Sequence, residues 1–128
     1  MNLVTPLNRV LGLGSAKSGS EHWWMQRVTA VALLPLGLWL AISLLLLDNF
    51  AYATVFAWLQ RPLTDILLIL TVLAVSYHSY LGLQVVIEDY IHGTAAKVAA
   101  LMASAFAHFG LSVAALFAIL KIAFAPVS

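Results

Sequence analysis

The stretch Asp65–Tyr90, "DILLILTVLAVSYHSYLGLQVVIEDY", decides the fold. Between Asp65 and Glu88 it holds 22 consecutive uncharged residues, Ile66 to Ile87. A helix rising 1.5 Å per residue needs roughly 20 apolar residues to cross a hydrocarbon core about 30 Å thick. Only helices and closed barrels satisfy their own backbone groups in lipid, so the run reads as a transmembrane helix. Two further runs have the same form: Val28–Leu47 (20 residues, between Arg27 and Asp48) and Val98–Leu120 (23 residues, between Lys97 and Lys121). Composition agrees, since 63% of the 128 residues are hydrophobic and 9% charged. A water-soluble chain this small could not hide that much apolar surface. The fold class is therefore an all-α membrane protein with three spans, near 28–47, 66–87 and 98–120.

The remaining segments divide accordingly. Residues 1–27 form an N-terminal segment and 28–128 a membrane domain. Leu3, Val4, Leu7, Val10 and Leu11 carry the spacing of a short amphipathic turn on the membrane surface. "GLGSAKSGS" (Gly12–Ser20) reads as a flexible link. Lys17-Ser18 imitates a phosphate loop, but Leu11 and Ala16 stand at both required glycine positions and no strand precedes them. A cleavable signal peptide is not expected, because the first apolar run starts late and is long enough to span. Asn49–Thr64 is expected as a loop, with Tyr52 and Trp58 at the interface and Gln60-Arg61-Pro62 starting the second helix. Pro35 is a candidate kink in the first span. Glu88–Lys97 is short, so the second and third spans form an antiparallel hairpin centred near Ile91–Gly93.

Charge sets orientation. Arg9, Lys17, Arg27 and Lys97 fall on one side, Arg61 and Lys121 on the other, four against two. The positive-inside rule puts the N-terminus and the Glu88–Lys97 loop in the cytoplasm. A net charge of +1 gives no basis for a nucleic-acid partner, and the absence of cysteine excludes disulfides and covalent c-type haem.

His78 lies near the bilayer midplane, where an ionisable residue is expensive and faces the bundle interior with a partner. On a helix it shares a face with Thr71, Ala74, Gly82, Val85 and Asp89, and Gly82 leaves a notch for a flat ring or another helix. Two readings stand: axial ligand to a b-type haem, or a packing histidine hydrogen-bonded across a small-residue seam. Asp89 follows eleven residues later, roughly 16 Å along the helix. Glu88 and Asp89 put two negative charges at a helix C-terminus, where the dipole disfavours them. This chain offers only Lys97 nearby, which points to a cation from another chain. Tyr90 can donate its phenol to a quinone carbonyl or serve as an interfacial belt residue. His108 sits level with His78 across the hairpin. Helices packed 8–10 Å apart leave little room for a macrocycle between two imidazoles, which favours an interhelical hydrogen bond for His108. His22 and His92 are expected in solvent near the interface.

A histidine followed by Asp-Tyr eleven and twelve residues on, late in a second span, resembles the smaller membrane-anchor subunit of succinate dehydrogenase (complex II). The segment "SAKSGSEHWWMQRVTAVALLPLGLW" (Ser15–Trp39) resembles the N-terminal region of its alphaproteobacterial and mitochondrial branch, with Arg27-Val28-Thr29-Ala30 as the Arg-x-Thr-Ala element. The resemblance runs from Ser15 to about Lys97 by motif, and over the third span by pattern. It implies a four-subunit succinate:ubiquinone oxidoreductase in the bacterial inner membrane. A flavoprotein subunit, an iron–sulfur subunit and a larger cytochrome b anchor subunit are the implied partners. By the same resemblance His78 is one haem b axial ligand, with the sister anchor supplying the other, and the two anchors share a haem-binding helical bundle. Arg27 lies near the haem propionates, Tyr90 binds ubiquinone, and Asp89 pairs with an arginine of the sister chain. The rival functions are the anchor of a fumarate reductase and a cofactor-free structural membrane protein. A transporter fits poorly, because the first and third spans carry no acidic residue and Asp89 lies at an interface.

Overall fold

The computed structural model describes residues 16–126, with side chains from residue 20 onward. Among these residues there are four helices: α1 (Ala16–Leu45), α2 (Tyr52–Leu59), α3 (Pro62–Tyr90) and α4 (Thr94–Ala123). Three stretches are long and apolar enough to cross a membrane: Ser20–Leu45, Pro62–Tyr90 and Thr94–Ala123. The chain is a multi-pass, all-helical membrane protein. The helices start ahead of the uncharged runs, because interfacial polar residues continue the helical backbone bonds.

Local signals explain the boundaries. Arg61 is extended (φ −78°, ψ 125°) and Pro62 opens α3, where its missing N–H costs nothing. Ile91 (φ −99°, ψ 109°) ends α3, and Gly93 (φ −72°, ψ 121°) precedes α4. The hairpin therefore turns at Ile91–Gly93, as the sequence indicates. Pro35 lies inside α1, which continues past it to Leu45.

Three sequence expectations change. Part of the link read as flexible, Ala16–Ser20, is the start of α1. The segment Asn49–Thr64 is not a plain loop but contains α2. Asn49 Oδ1 starts that helix, accepting from the Ala51 N–H at 3.0 Å and the Thr54 hydroxyl at 2.8 Å. Trp58, expected in a loop at the membrane interface, is packed on protein instead: it is 7% exposed and stacks on Trp39 with ring centroids 6.3 Å apart. The proposed amphipathic turn at Leu3–Leu11 lies outside the described residues.

The long helices stand in a row. α3 packs against α1 on one side and α4 on the other, while α1 and α4 do not meet. The short α2 bears on α3 and α4, and Gln60 Nε2 just after it donates to the Ala125 carbonyl at 2.9 Å, near the end of α4. An open row encloses little: Trp58, Leu81 and Ile87 are the buried apolar side chains among the described residues, joined by Thr29, Thr64, Thr71 and Ser104. That fits a lipid solvent. Burial against another helix gains no hydrophobic energy there, so seams rely on small and hydroxyl residues that let backbones approach. The Thr71 hydroxyl returns to the Leu67 carbonyl of its own helix at 2.7 Å, so its burial leaves no orphan donor.

Candidate functional site

The α1–α3 seam carries a polar cluster about half-way along α3. Thr29 and Gln26 project from α1 towards α3 and meet His78. Thr29 Oγ1 lies 3.0 Å from His78 Nδ1, and Gln26 Nε2 lies 3.5 Å from His78 Nε2. The first is an ordinary hydrogen bond and the second is at the outer limit. Thr29 Oγ1 also lies 2.8 Å from the Met25 carbonyl and 3.1 Å from that of Gln26, both one turn back on α1. Gly82 takes part, since a Cβ there would stand 3.5 Å from Gln26 Nε2. The notch read from the sequence is thus where the α1 amide approaches α3. His78 is half-buried and Thr29 is 8% exposed, so the hydroxyl is the better enclosed of the two.

Arg27 points elsewhere. It is exposed, with its guanidinium carbon 5.2 Å from the centroid of Trp23, one turn earlier on α1. The structure brings Gln26 and Thr29 to His78, but not Arg27.

His108 belongs to the other seam. Its Nδ1–H donates to the Ser104 carbonyl at 2.8 Å, and Nε2 accepts from the Ser79 hydroxyl of α3 at 3.0 Å. Tyr80 meets the ring edge-on at 5.8 Å. The interhelical hydrogen bond expected for His108 is present. Beside this imidazole a groove of about 420 Å³ opens between α3 and α4, lined chiefly by Leu73, Tyr77, Phe109 and Leu116.

At the α3 terminus, Glu88, Asp89 and Tyr90 are exposed, Tyr90 by 79%. Gln84 Nε2 donates to Glu88 Oε1 at 2.9 Å, and Lys97 Nζ donates to the Glu88 main-chain carbonyl at 2.8 Å. Lys97 therefore caps the negative helix end and leaves the Asp89 carboxylate without a partner among the described residues. His92 is exposed as expected, but His22 is not in solvent: its Nε2 is buried and unpartnered. The sequence expectation failed because α1 starts six residues before His22 and carries it against α3. There it lines a cleft of about 270 Å³ with Glu21, Tyr77 and Gln84.

Nothing in the sequence singles out Gln26 by itself, because its position beside His78 appears only when α1 and α3 are docked. Thr29 was visible only as part of the Arg-x-Thr-Ala element. One signal was available for both: they lie three residues apart, on one face of α1.

Residues 1–119 match the family model of the succinate dehydrogenase/fumarate reductase transmembrane subunit. The succinate dehydrogenase hydrophobic membrane anchor subunit of Rickettsia bellii is 47% identical over 78 residues, covering 61% of this chain and 62% of that protein. The corresponding subunit of Rickettsia conorii is 44% identical over 79 residues, covering 61% and 63%. That of Paracoccus denitrificans is 30% identical over 106 residues, covering 83% of this chain and 82% of the relative. The chain thus matches less than two thirds of the length of the Rickettsia relatives. No solved structure matches.

Proposed function

Because the chain belongs to the succinate dehydrogenase/fumarate reductase transmembrane-subunit family, we propose that it is the smaller hydrophobic anchor of a succinate:ubiquinone oxidoreductase. In this reading it tethers a flavoprotein and an iron–sulfur subunit to the bacterial inner membrane, beside a larger cytochrome b anchor subunit. It is a subunit of that oxidoreductase and does not catalyse alone.

The observation that carries the reading is the state of His78. It is a mid-span imidazole whose Nδ1 is held at 3.0 Å by a buried hydroxyl, while Nε2 has only a 3.5 Å neighbour. An imidazole fixed through one nitrogen and weakly engaged at the other is the donor that a haem iron takes. The residues fit the group. One such donor per chain also fits a haem shared between two anchors, the second ligand coming from the sister subunit. Bound haem b supplies a one-electron centre inside the membrane. In this chain His78 would hold the iron, Thr29 would orient His78, and Gln26 lies in the same seam beside Gly82. Arg27, exposed one residue beyond Gln26, is the proposed propionate partner once its side chain leaves Trp23.

Ubiquinone is the proposed substrate at the α3 terminus. Tyr90 donates its phenol to one carbonyl oxygen, and that bond strengthens as negative charge develops there on reduction. Asp89, unpartnered in this chain, pairs with a cation of the sister subunit and orients the site. Both residues face the cytoplasm when the positive-inside orientation holds.

The test is purification of the complex through a tag on this chain. A co-purifying flavoprotein and iron–sulfur protein, a b-type reduced-minus-oxidised spectrum and succinate:ubiquinone activity are expected. A chain that purifies without those subunits and without a cytochrome spectrum would refute the assignment.

A further inference from the structure

One hydroxyl in the α1–α3 seam has more acceptors around it than it has protons. Thr29 Oγ1 is within hydrogen-bond distance of the Met25 carbonyl (2.8 Å), the Gln26 carbonyl (3.1 Å) and His78 Nδ1 (3.0 Å). A hydroxyl has a single proton to give, and a carbonyl oxygen can only accept. If Thr29 donated to His78, both carbonyl contacts would be oxygen facing oxygen with nothing between them. If instead it donates back to α1, its lone pairs remain free to accept from His78. The second arrangement gives the proton to the nearer carbonyl, Met25 at 2.8 Å, and matches the usual return bond of threonine to the carbonyl four residues earlier.

We infer that Thr29 is a positioning residue that sets the tautomer of His78. By accepting from Nδ1–H while donating to the Met25 carbonyl, it holds the proton on Nδ1 and leaves the Nε2 lone pair as the acceptor, facing the Gln26 amide at 3.5 Å. Gln26 alone could not make this choice, because an amide placed beside Nε2 can donate or accept according to which way it is turned. Thr29 cannot, since its proton is committed to its own helix. The relay runs from a main-chain carbonyl of α1 through one hydroxyl to the imidazole of α3. It therefore makes the docking of these two helices the condition for a metal-competent histidine. Thr29 is also the buried member of the cluster, so water does not compete for the position.

The inference rests on the haem-ligand reading of His78 for its functional meaning, but not for the tautomer itself. A hydrogen bond from the remote N–H to an oxygen makes the ligating nitrogen more basic and fixes the ring plane. It thereby favours the ferric state. In the assembled complex, Thr29→Val keeps the shape and removes the hydroxyl, Thr29→Ala removes it with better helix propensity, and Thr29→Ser restores it. Val and Ala should raise the cytochrome's reduction potential and shift its low-spin ferric electron paramagnetic resonance signal. Ser should return both towards wild type. Wild-type potential and resonance in either assembled removal variant would overturn the inference.

A second measurement needs no variant. In nitrogen-15 spectra of histidine-labelled complex, His78 should carry its proton on Nδ1, and a proton on Nε2 overturns the inference whether or not the variants assemble. His78→Ala separates the two claims. Loss of the cytochrome spectrum there, with an unchanged potential in Thr29→Val, sinks the role of Thr29 alone. An intact spectrum in His78→Ala sinks the ligand reading, while the Nδ1 proton in the nitrogen spectrum still decides the tautomer.

Discussion

Lys97 reaches back across the hairpin to donate its ammonium to the Glu88 main-chain carbonyl at 2.8 Å, and it does not reach the neighbouring carboxylate of Asp89. The cation that could neutralise Asp89 is thus already engaged with the helix end, where it opposes the dipole. Two substitutions should separate these roles. Lys97→Met should lower the thermal stability of the complex slightly, by about 0.3–1 kcal/mol as for a helix-terminal cation, and leave subunit stoichiometry intact. Asp89→Asn should weaken retention of the sister subunit during purification with little change in the α3–α4 hairpin. Equal retention in Asp89→Asn would show that the carboxylate has no partner outside this chain.

The histidines near the middle of α3 and α4 are not equivalent, because His108 is satisfied at both nitrogens whereas His78 Nε2 has only a 3.5 Å neighbour. His78→Ala is expected to abolish or strongly alter the b-type spectrum, and His108→Ala to leave it nearly intact. The opposite pattern would reverse the assignment.

Tyr90 is 79% exposed, so its phenol is available to a ligand arriving from the interface. Tyr90→Phe should lower succinate-to-ubiquinone turnover while succinate oxidation with a soluble dye stays level. A donor aimed at developing charge in a dry site is worth roughly 10²–10³ in rate, and water at this open position brings the expected loss to about 10²-fold or less. Unchanged rates in both assays would make Tyr90 a belt residue.

Ser79→Ala removes the hydrogen bond that joins α3 to His108. Interhelical hydrogen bonds in membranes average about 0.6 kcal/mol and reach roughly 1.7 kcal/mol, so a loss within that range is expected in detergent unfolding. A larger loss would mean that the His108 ring itself has moved.

Orientation can be read with single cysteines, since the native chain has none. Thr94→Cys, in the exposed hairpin turn, should be shielded from an impermeant thiol reagent added to intact cells. Ala53→Cys, exposed on α2, should label. The reverse would invert the topology.

The spans and the hairpin were legible because twenty-residue apolar runs have one physical use in a helical chain. His78 was legible because a midplane imidazole is costly. The short α2 was not: "YATVFAWL" is apolar almost throughout and has no helical stripe to distinguish it from an interfacial loop. Nor was the placement of Trp58, whose partner Trp39 lies nineteen residues away on another helix. His22 was misjudged because hydropathy marks where a span must be, not how far its helix extends. Gln26 depends on which faces of α1 and α3 meet, and a single run of sequence does not encode a helix's rotation about its axis.

His78 and Ser79 are consecutive, and consecutive helical residues point about 100° apart. One faces α1 through Thr29 and the other faces α4 through His108. Both outer helices are therefore pivoted on α3 at a single height. α4 gains further moorings at its two ends, from Lys97 and from Gln60. α1 is moored again by the Trp39–Trp58 stack, on the far side of its pivot from His22 and Arg27. A push on the exposed Arg27 end of α1 would turn that helix about the Thr29–His78 contact, with the Trp39–Trp58 stack resisting from the other side.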